Sequence, residues 1–147
     1  MPVGAPQPPV VNWYERDVIL RVAEATEEML RAVAFQVEGQ TKINIEENGQ
    51  VDTGFMRSSV YVSGLGVSSY GETLPSGAYM SGKTGESGER VIMPEVLDAG
   101  EGMAVAVGAE YAIHQEMRDS FLYRGAEMVA GAMAEATMES VARRVGL

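Results

Sequence analysis

The chain contains no cysteine. That excludes disulfides, thiolate metal sites and cysteine nucleophiles together, and it fits a reducing compartment. Histidine is nearly absent: His114 stands alone, so a metal site would have to rest on one imidazole and the carboxylates of Glu110 and Glu116 beside it. Cations are scarce, with 11 Lys and Arg against 21 Asp and Glu and a net charge of −10. Such a field repels nucleic acid, because duplex binding is driven by cations that displace counterions. Long apolar runs are missing too. "GMAVAVGA" (102–109) and "MVAGAMA" (128–134) fall far short of the roughly 20 residues that a membrane span needs. The opening "MPVGAPQPPVV" has no basic residue ahead of its apolar part, so no secretory signal is expected. No phosphate loop, dinucleotide fingerprint or serine-nucleophile motif occurs, and "GKTGESG" (82–88) resembles a phosphate loop in composition alone.

What is present suits one soluble domain: 147 residues, 46% apolar and 22% charged. The acids are scattered, at Glu24, Glu27, Glu28, Glu46, Glu47, Glu135 and Glu139, as on a solvated surface. Four of the six prolines lie in the first nine residues, which predicts an extended arm over residues 1–11. From about Asn12, a plausible N-cap with Glu15 in capping-box position, the pattern is helical. Ile19, Val22, Thr26, Met29, Val33 and Val37 form one face, and Asp17, Arg21, Glu24, Glu28 and Arg31 the other. The helix is expected over about 13–38, ending at Gly39 or continuing weakly to Gly49. It is too long for a small domain to cover.

Val60 and Val62 read as a strand. Residues 63–89 hold seven glycines and six serines, the composition of a long flexible loop. "RVIMPEVL" (90–97) reads as an edge strand because of Pro94. "MAVAVGAEYAI" (103–113) is the clearest strand, joined to it by a short hairpin at "DAGEG". Asp119 or Ser120 can cap a final helix with a stripe at Gly125, Met128, Val129, Ala132, Met133 and Ala136. The order helix, strands, helix gives an α+β domain: a long N-terminal helix, an antiparallel sheet of about four strands, and a C-terminal helix packed on the sheet.

The triplet Asp52-Thr53-Gly54 also occurs in aspartic peptidases. There two carboxylates must share a proton, so a single copy requires a homodimer. Here the triplet follows "EENGQ" rather than a buried apolar strand, and precedes Phe55-Met56-Arg57. The structural reading assigns Asp52, Thr53, Gly54 and Ser59 to a turn between helix and strand, with Asp52 accepting backbone N–H groups and Gly54 supplying an unusual φ. No catalytic residue, metal or cofactor is expected.

"VDTGFMRSSV" (51–60) resembles the "P-V-D-T-G-x-L-x-x-S" element of small neck proteins of long-tailed bacteriophages, the tail-completion or head–tail joining proteins. "VGAEYAIHQEMRDSFLYRGAEMVAGAM" (107–133) is similar to their later "Y-A-x-x-x-E-x-G-T" and the "P-F-L-R-P-A" that opens the C-terminal helix. Asp52, Thr53, Gly54, Met56 and Ser59 match the first element; Tyr111, Ala112, Glu116, Phe121 and Leu122 match the second. Gln50 replaces the usual proline, and Arg118-Asp119 stand where Gly-Thr is usual. Ser120 and Arg124 replace the later prolines, Tyr123 an arginine, and Gly125 an alanine.

The resemblance implies a virion protein of the neck. It would form a homo-oligomeric ring, usually a hexamer, between head-side portal-complex proteins and the tail tube or its terminator. Genomic DNA would pass through the lumen without specific binding, and no membrane would be involved. Interface candidates are Pro8 and Pro9 in the arm, Tyr79 in the loop, and Tyr111, Glu116, Phe121 and Leu122. The competing readings are a neighbouring neck role, as a head-closure or tail-terminator protein, and a homodimeric aspartic peptidase using Asp52.

Overall fold

A helix forms where apolar residues recur at three- and four-residue steps, and it runs well past Gly39. The structure, a computed structural model, describes residues 4–5, 15–50, 54–74, 78–80, 90–92, 95 and 99–147. α1 (Glu15–Glu47) has 33 residues and is about 50 Å long by the helical rise per residue. Gly39 does not end it, because contacts on both sides of the glycine outweigh its poor helix propensity. Next come a single turn α2 (Phe55–Ser58), β1 (Val60–Gly64), β2 (Val67–Ser68), β3 (Ala78–Met80), β4 (Arg90–Ile92) and β5 (Met103–Val107). Three helices close the chain: α3 (Ala112–Arg118), α4 (Leu122–Val129) and α5 (Ala132–Val145).

The chain is α+β. Its antiparallel sheet has three strands rather than about four, in the order β2–β1–β5. β1 and β5 pair from Val60↔Val107 to Gly64↔Met103. Leu65 and Gly66, at φ 49 and 73, make the two-residue loop between β1 and β2, a turn whose backbone matches the twist of the strands. Arg31 on α1 donates to the Leu65 carbonyl at 2.9 Å and holds that loop to the helix.

The segment read as a strand beside β5 is not its partner. β4 pairs in parallel with β3, Ala78↔Arg90 to Met80↔Ile92, as a separate two-stranded unit. "DAGEG" is thus a turn, closed by the Gly102 N–H on the Ala99 carbonyl at 2.9 Å, and not a hairpin between paired strands. Residues 63–74 also belong to sheet and core rather than to a flexible loop. Tyr70 and Leu74 pack on the main cluster, Tyr70 stacks edge-on to Tyr61 at 5.0 Å, and Thr73 donates to the Ser58 carbonyl.

The core gathers Ile45, Phe55, Met56, Val60, Ala109, Ala112 and Phe121, with Val105, Val107 and Leu122 against them. The C-terminal helix begins here, through Phe121 and Leu122, and then runs along α1. It is broken in two: Gly131 takes φ 96, ψ −128, a conformation open to glycine and strained for other residues. The break rotates the expected stripe. Gly125 and Val129 are buried as read, but Ala132, Met133 and Ala136 are exposed, and the inward line in α5 passes through Ala134, Thr137 and Val141. Thr137 bonds Gln36 and Arg144 pairs with Glu28 at 2.6 Å, so α5 lies antiparallel to α1 and ends near residue 28.

The buried side of α1 also differs from the expected face. Ala25, Ala34, Glu38, Thr41, Asn44 and Ile45 are buried, while Ile19, Val22 and Thr26 are exposed. Two partners press on α1, the sheet on one side and α4–α5 on another. Close approach therefore selects small and polar residues in its second half. Among the described residues no helix is long and apolar enough to cross a membrane.

Candidate functional site

The second of the two sequence elements folds into a corner between α3 and α4, and Glu116 is its centre. The α4 N-terminus exposes backbone N–H groups that no helical carbonyl can satisfy. Glu116, on the preceding helix, reaches across and satisfies them. Its Oε2 accepts the N–H groups of Phe121 and Leu122 at 2.8 and 2.9 Å. Its Oε1 accepts the Tyr123 N–H at 3.0 Å and the Ser120 hydroxyl at 2.9 Å. Burial acts to raise the Glu116 pKa, but the hydrogen bonds from Leu122, Phe121, Tyr123 and Ser120 outweigh it and hold the carboxyl below the usual glutamate range. A carboxylate that is ionised and already accepts four hydrogen bonds is a brace and a poor proton carrier.

Three amides, Asn44 near the end of α1 and Asn48 and Gln50 in the turn after it, clamp the same corner. Asn44, itself fully buried, donates to the Phe121 carbonyl at 3.1 Å. Asn48 donates to the carbonyls of Asp119 and Ser120 at 3.3 and 3.1 Å. Gln50 donates to those of Gln115 and Asp119 at 3.1 and 3.2 Å. One turn on, Gly125 lets α4 touch α1. A Cβ there would sit 2.7 Å from Thr41 Oγ1 and 3.2 Å from its backbone nitrogen. Of the two caps expected, Ser120 contributes, its Oγ accepting the Arg124 N–H at 3.3 Å, while Glu116 takes the three N–H groups before it.

Ser59 brings the two sequence elements together. It is buried, donates its hydroxyl to the Met56 carbonyl at 2.7 Å, and accepts the Ala109 N–H at 3.1 Å. Its own carbonyl accepts the Gly108 N–H at 2.9 Å. These bonds turn the chain out of β5, so the strand expected to persist to residue 113 stops at Val107 and α3 begins at Ala112. Tyr111, at that turn, places its ring 6.3 Å from Phe55. Gly54 has φ 75; Asp52 and Thr53 lie outside the described residues, as do Pro8, Pro9 and Asn12.

The interface candidates separate by burial. Phe121, expected at an interface, is a core residue, and Leu122 is half-buried. Tyr111 is 44% exposed. Tyr79 pairs with Val91 in the β3–β4 unit, its side chain lying outside the description. His114 is exposed on α3. The strand that would have aligned it with Glu110 and Glu116 is absent there, Glu116 is committed to the α4 N-terminus, and no group of three possible metal ligands occurs among the described residues.

Two apolar surfaces were not singled out from the sequence. The end of α1 over residues 16–24 is exposed throughout, including Val18, Ile19, Leu20 and Val22. A groove of about 250 Å³ lies between β5 and the α3–α4 corner, lined by Val105, Val107, Ala112, Ile113 and Leu122. Beside it Ile113 and Met117 are 64% and 81% exposed. The Glu116 brace, too, was legible only as a matched position. Its signal was a glutamate placed just ahead of a Ser-Phe-Leu helix start. Comparison with protein-family models, curated proteins and solved structures returns no match.

Proposed function

We propose that this chain is a non-enzymatic structural protein of the bacteriophage neck. It joins the tail to the DNA-filled head as a ring, six-fold by the family it resembles, around the DNA channel. Head-side portal-complex proteins and tail-tube or tail-terminator proteins are its neighbours in that reading. The observation that carries it is the end of α1. Residues 16–24 extend beyond the neighbouring helix α5 with Val18, Ile19, Leu20 and Val22 in the open, and an uncovered apolar helix end of this kind marks an assembly surface.

The sequence resemblance supplies the family. The stretches that carry it meet where Ser59 bonds Ala109, and Glu116, Phe121 and Leu122 build the corner that follows α3 and its exposed Ile113 and Met117. The net charge of −10 suits a lumen through which DNA slides, since acidic walls do not hold phosphate.

Native mass spectrometry over a range of concentrations, with negative-stain images of the same sample, tests this reading. A closed ring of one stoichiometry is the expected result. A discrete two-fold dimer at every concentration would refute it and return attention to Asp52.

A further inference from the structure

We infer that the projecting end of α1 in one copy seats in the β5–α3–α4 groove of the next copy, head to tail. The inference rests on the ring reading for its closure, and on geometry for the contact itself. By helical steps Val18, Val22, Ile19, Ala23 and Leu20 span an arc of about 200°, whereas Asp17, Arg21 and Glu24 occupy the remaining strip. A single flat helix face covers far less than that arc. An apolar surface this wide calls for a concave receiver.

The groove provides one. Its apolar walls come from β5 on one side and α3 and α4 on the other, with Ile113 and Met117 standing exposed at the rim. One turn of helix with its side chains fills about 400 Å³ by its diameter and pitch. The groove's volume of about 250 Å³ therefore takes the side chains of a helix face and not the helix itself.

One chain cannot make this contact with itself. The groove is built on the core around Ile45, and Leu20 lies 25 residues, about 38 Å by the helical rise, away along the same helix. Two complementary surfaces at opposite ends of a molecule give a heterologous contact, which closes into a ring when the rotation allows. Charge agrees. Arg16 falls within the apolar arc, which Glu15 shares by helical steps, and Arg16 makes no ion pair among the described residues. Glu110, in the turn joining the two walls of the groove, likewise makes none and is exposed.

The absence of cysteine makes the test direct. Ile19→Cys and Ile113→Cys each introduce a single thiol at an exposed position. Treated with a short bismaleimide, an equimolar mixture of the two variants should give a linked heterodimer, the double variant a ladder of linked chains, and either variant alone neither. Dimers from Ile19→Cys alone would show two-fold pairing of helix ends and overturn the contact. A mixture that stays unlinked would mean that another surface, a second protein or this chain's own arm covers the helix, and would overturn it as well. Leu20→Glu, at a position 58% exposed, should convert the assembly to monomers with unchanged far-UV circular dichroism. Retained assembly overturns the contact. The two readings fail separately: closed rings in which positions 19 and 113 do not link refute the contact alone, and linked open chains that never close refute the ring alone.

Discussion

Replacing Glu116 tests whether the matched corner is held by its carboxylate. Each oxygen accepts two donors: Phe121 and Leu122 on one, Tyr123 and Ser120 on the other. Glu116→Ala leaves three backbone N–H groups without that acceptor. Loss of a helix cap costs about 0.5–2 kcal/mol, and an unmet part-buried N–H about 1–3 kcal/mol. Tyr123 is exposed, so water replaces one bond at little cost. A loss of about 2–3 kcal/mol follows, a large share of the roughly 5–15 kcal/mol that holds a typical domain together. Glu116→Gln is the sharper variant. Its amide oxygen can serve one pair of donors, but its NH₂ then faces the other pair, and about half of the loss should appear.

Urea unfolding followed by far-UV circular dichroism, with the slope m checked for constancy, measures both losses. The pH dependence has a definite sign. Because the folded pKa lies below the unfolded one, the carboxylate's contribution is complete above the ordinary glutamate value of about 4.3. It disappears as pH falls through the lower folded value. The gap between wild type and Glu116→Gln should therefore be constant at neutral pH and narrow in acid below about pH 4. A Glu116→Ala variant within about 0.5 kcal/mol of wild type at pH 7, below the usual cost of losing a cap, would refute the brace. So would a gap that does not narrow in acid.

Gly125→Ala forces a Cβ onto Thr41, and an overpacking cost of about 1–3 kcal/mol should exceed the gain in helix propensity of up to about 1 kcal/mol. Gly39→Ala, where a Cβ meets nothing, should instead stabilise by about 0.5–1 kcal/mol; equal effects of the two in thermal melts would show that α1 and α4 are not in close contact. Deleting residues 75–88 removes β3 and with it the β3–β4 unit, but should leave the three-stranded sheet and the helices intact and yield tailless or headless particles, whereas a deletion that begins at Ser68 should also unfold the domain, since it removes Tyr70 and Leu74 from the core; infectious virions from the shorter deletion would take that segment out of the interface. Asp52→Asn should leave no proteolytic activity to lose, and acid-dependent, pepstatin-sensitive cleavage abolished by it would reverse the assignment.

The sequence disclosed what repeats and hid what depends on partners. The period of α1 was legible, but its inward side was not. A rule that large apolar residues face the core ranked Ile19 and Val22 as buried, whereas the helix is squeezed between sheet and α4–α5 and there admits Ala34, Thr41 and Asn44. Large residues of α1 are exposed at Leu30, Phe35 and Ile43 too, but they run together, at Val18, Ile19, Leu20 and Val22, where α5 has ended, and apolar residues that the fold of one chain does not use are available for another chain. Alternation found β5 and could not find where it stops, because the stop is imposed by Ser59, about fifty residues earlier in the chain. Nor could it assign strand partners. The β1–β2 hairpin leaves β5 as the other neighbour of β1, and β4 pairs with β3 rather than with the outer edge of β5. Glu116 shows the limit most clearly. A glutamate in "HQEMRDSFL" has no period and no fixed capping offset, and its role emerges when the chain reverses direction and brings three N–H groups to its two oxygens. Residues whose function is to answer such a reversal are visible in a matched pattern before they are intelligible in physical terms, and the corner they build determines which way α3 presents Ile113 and Met117.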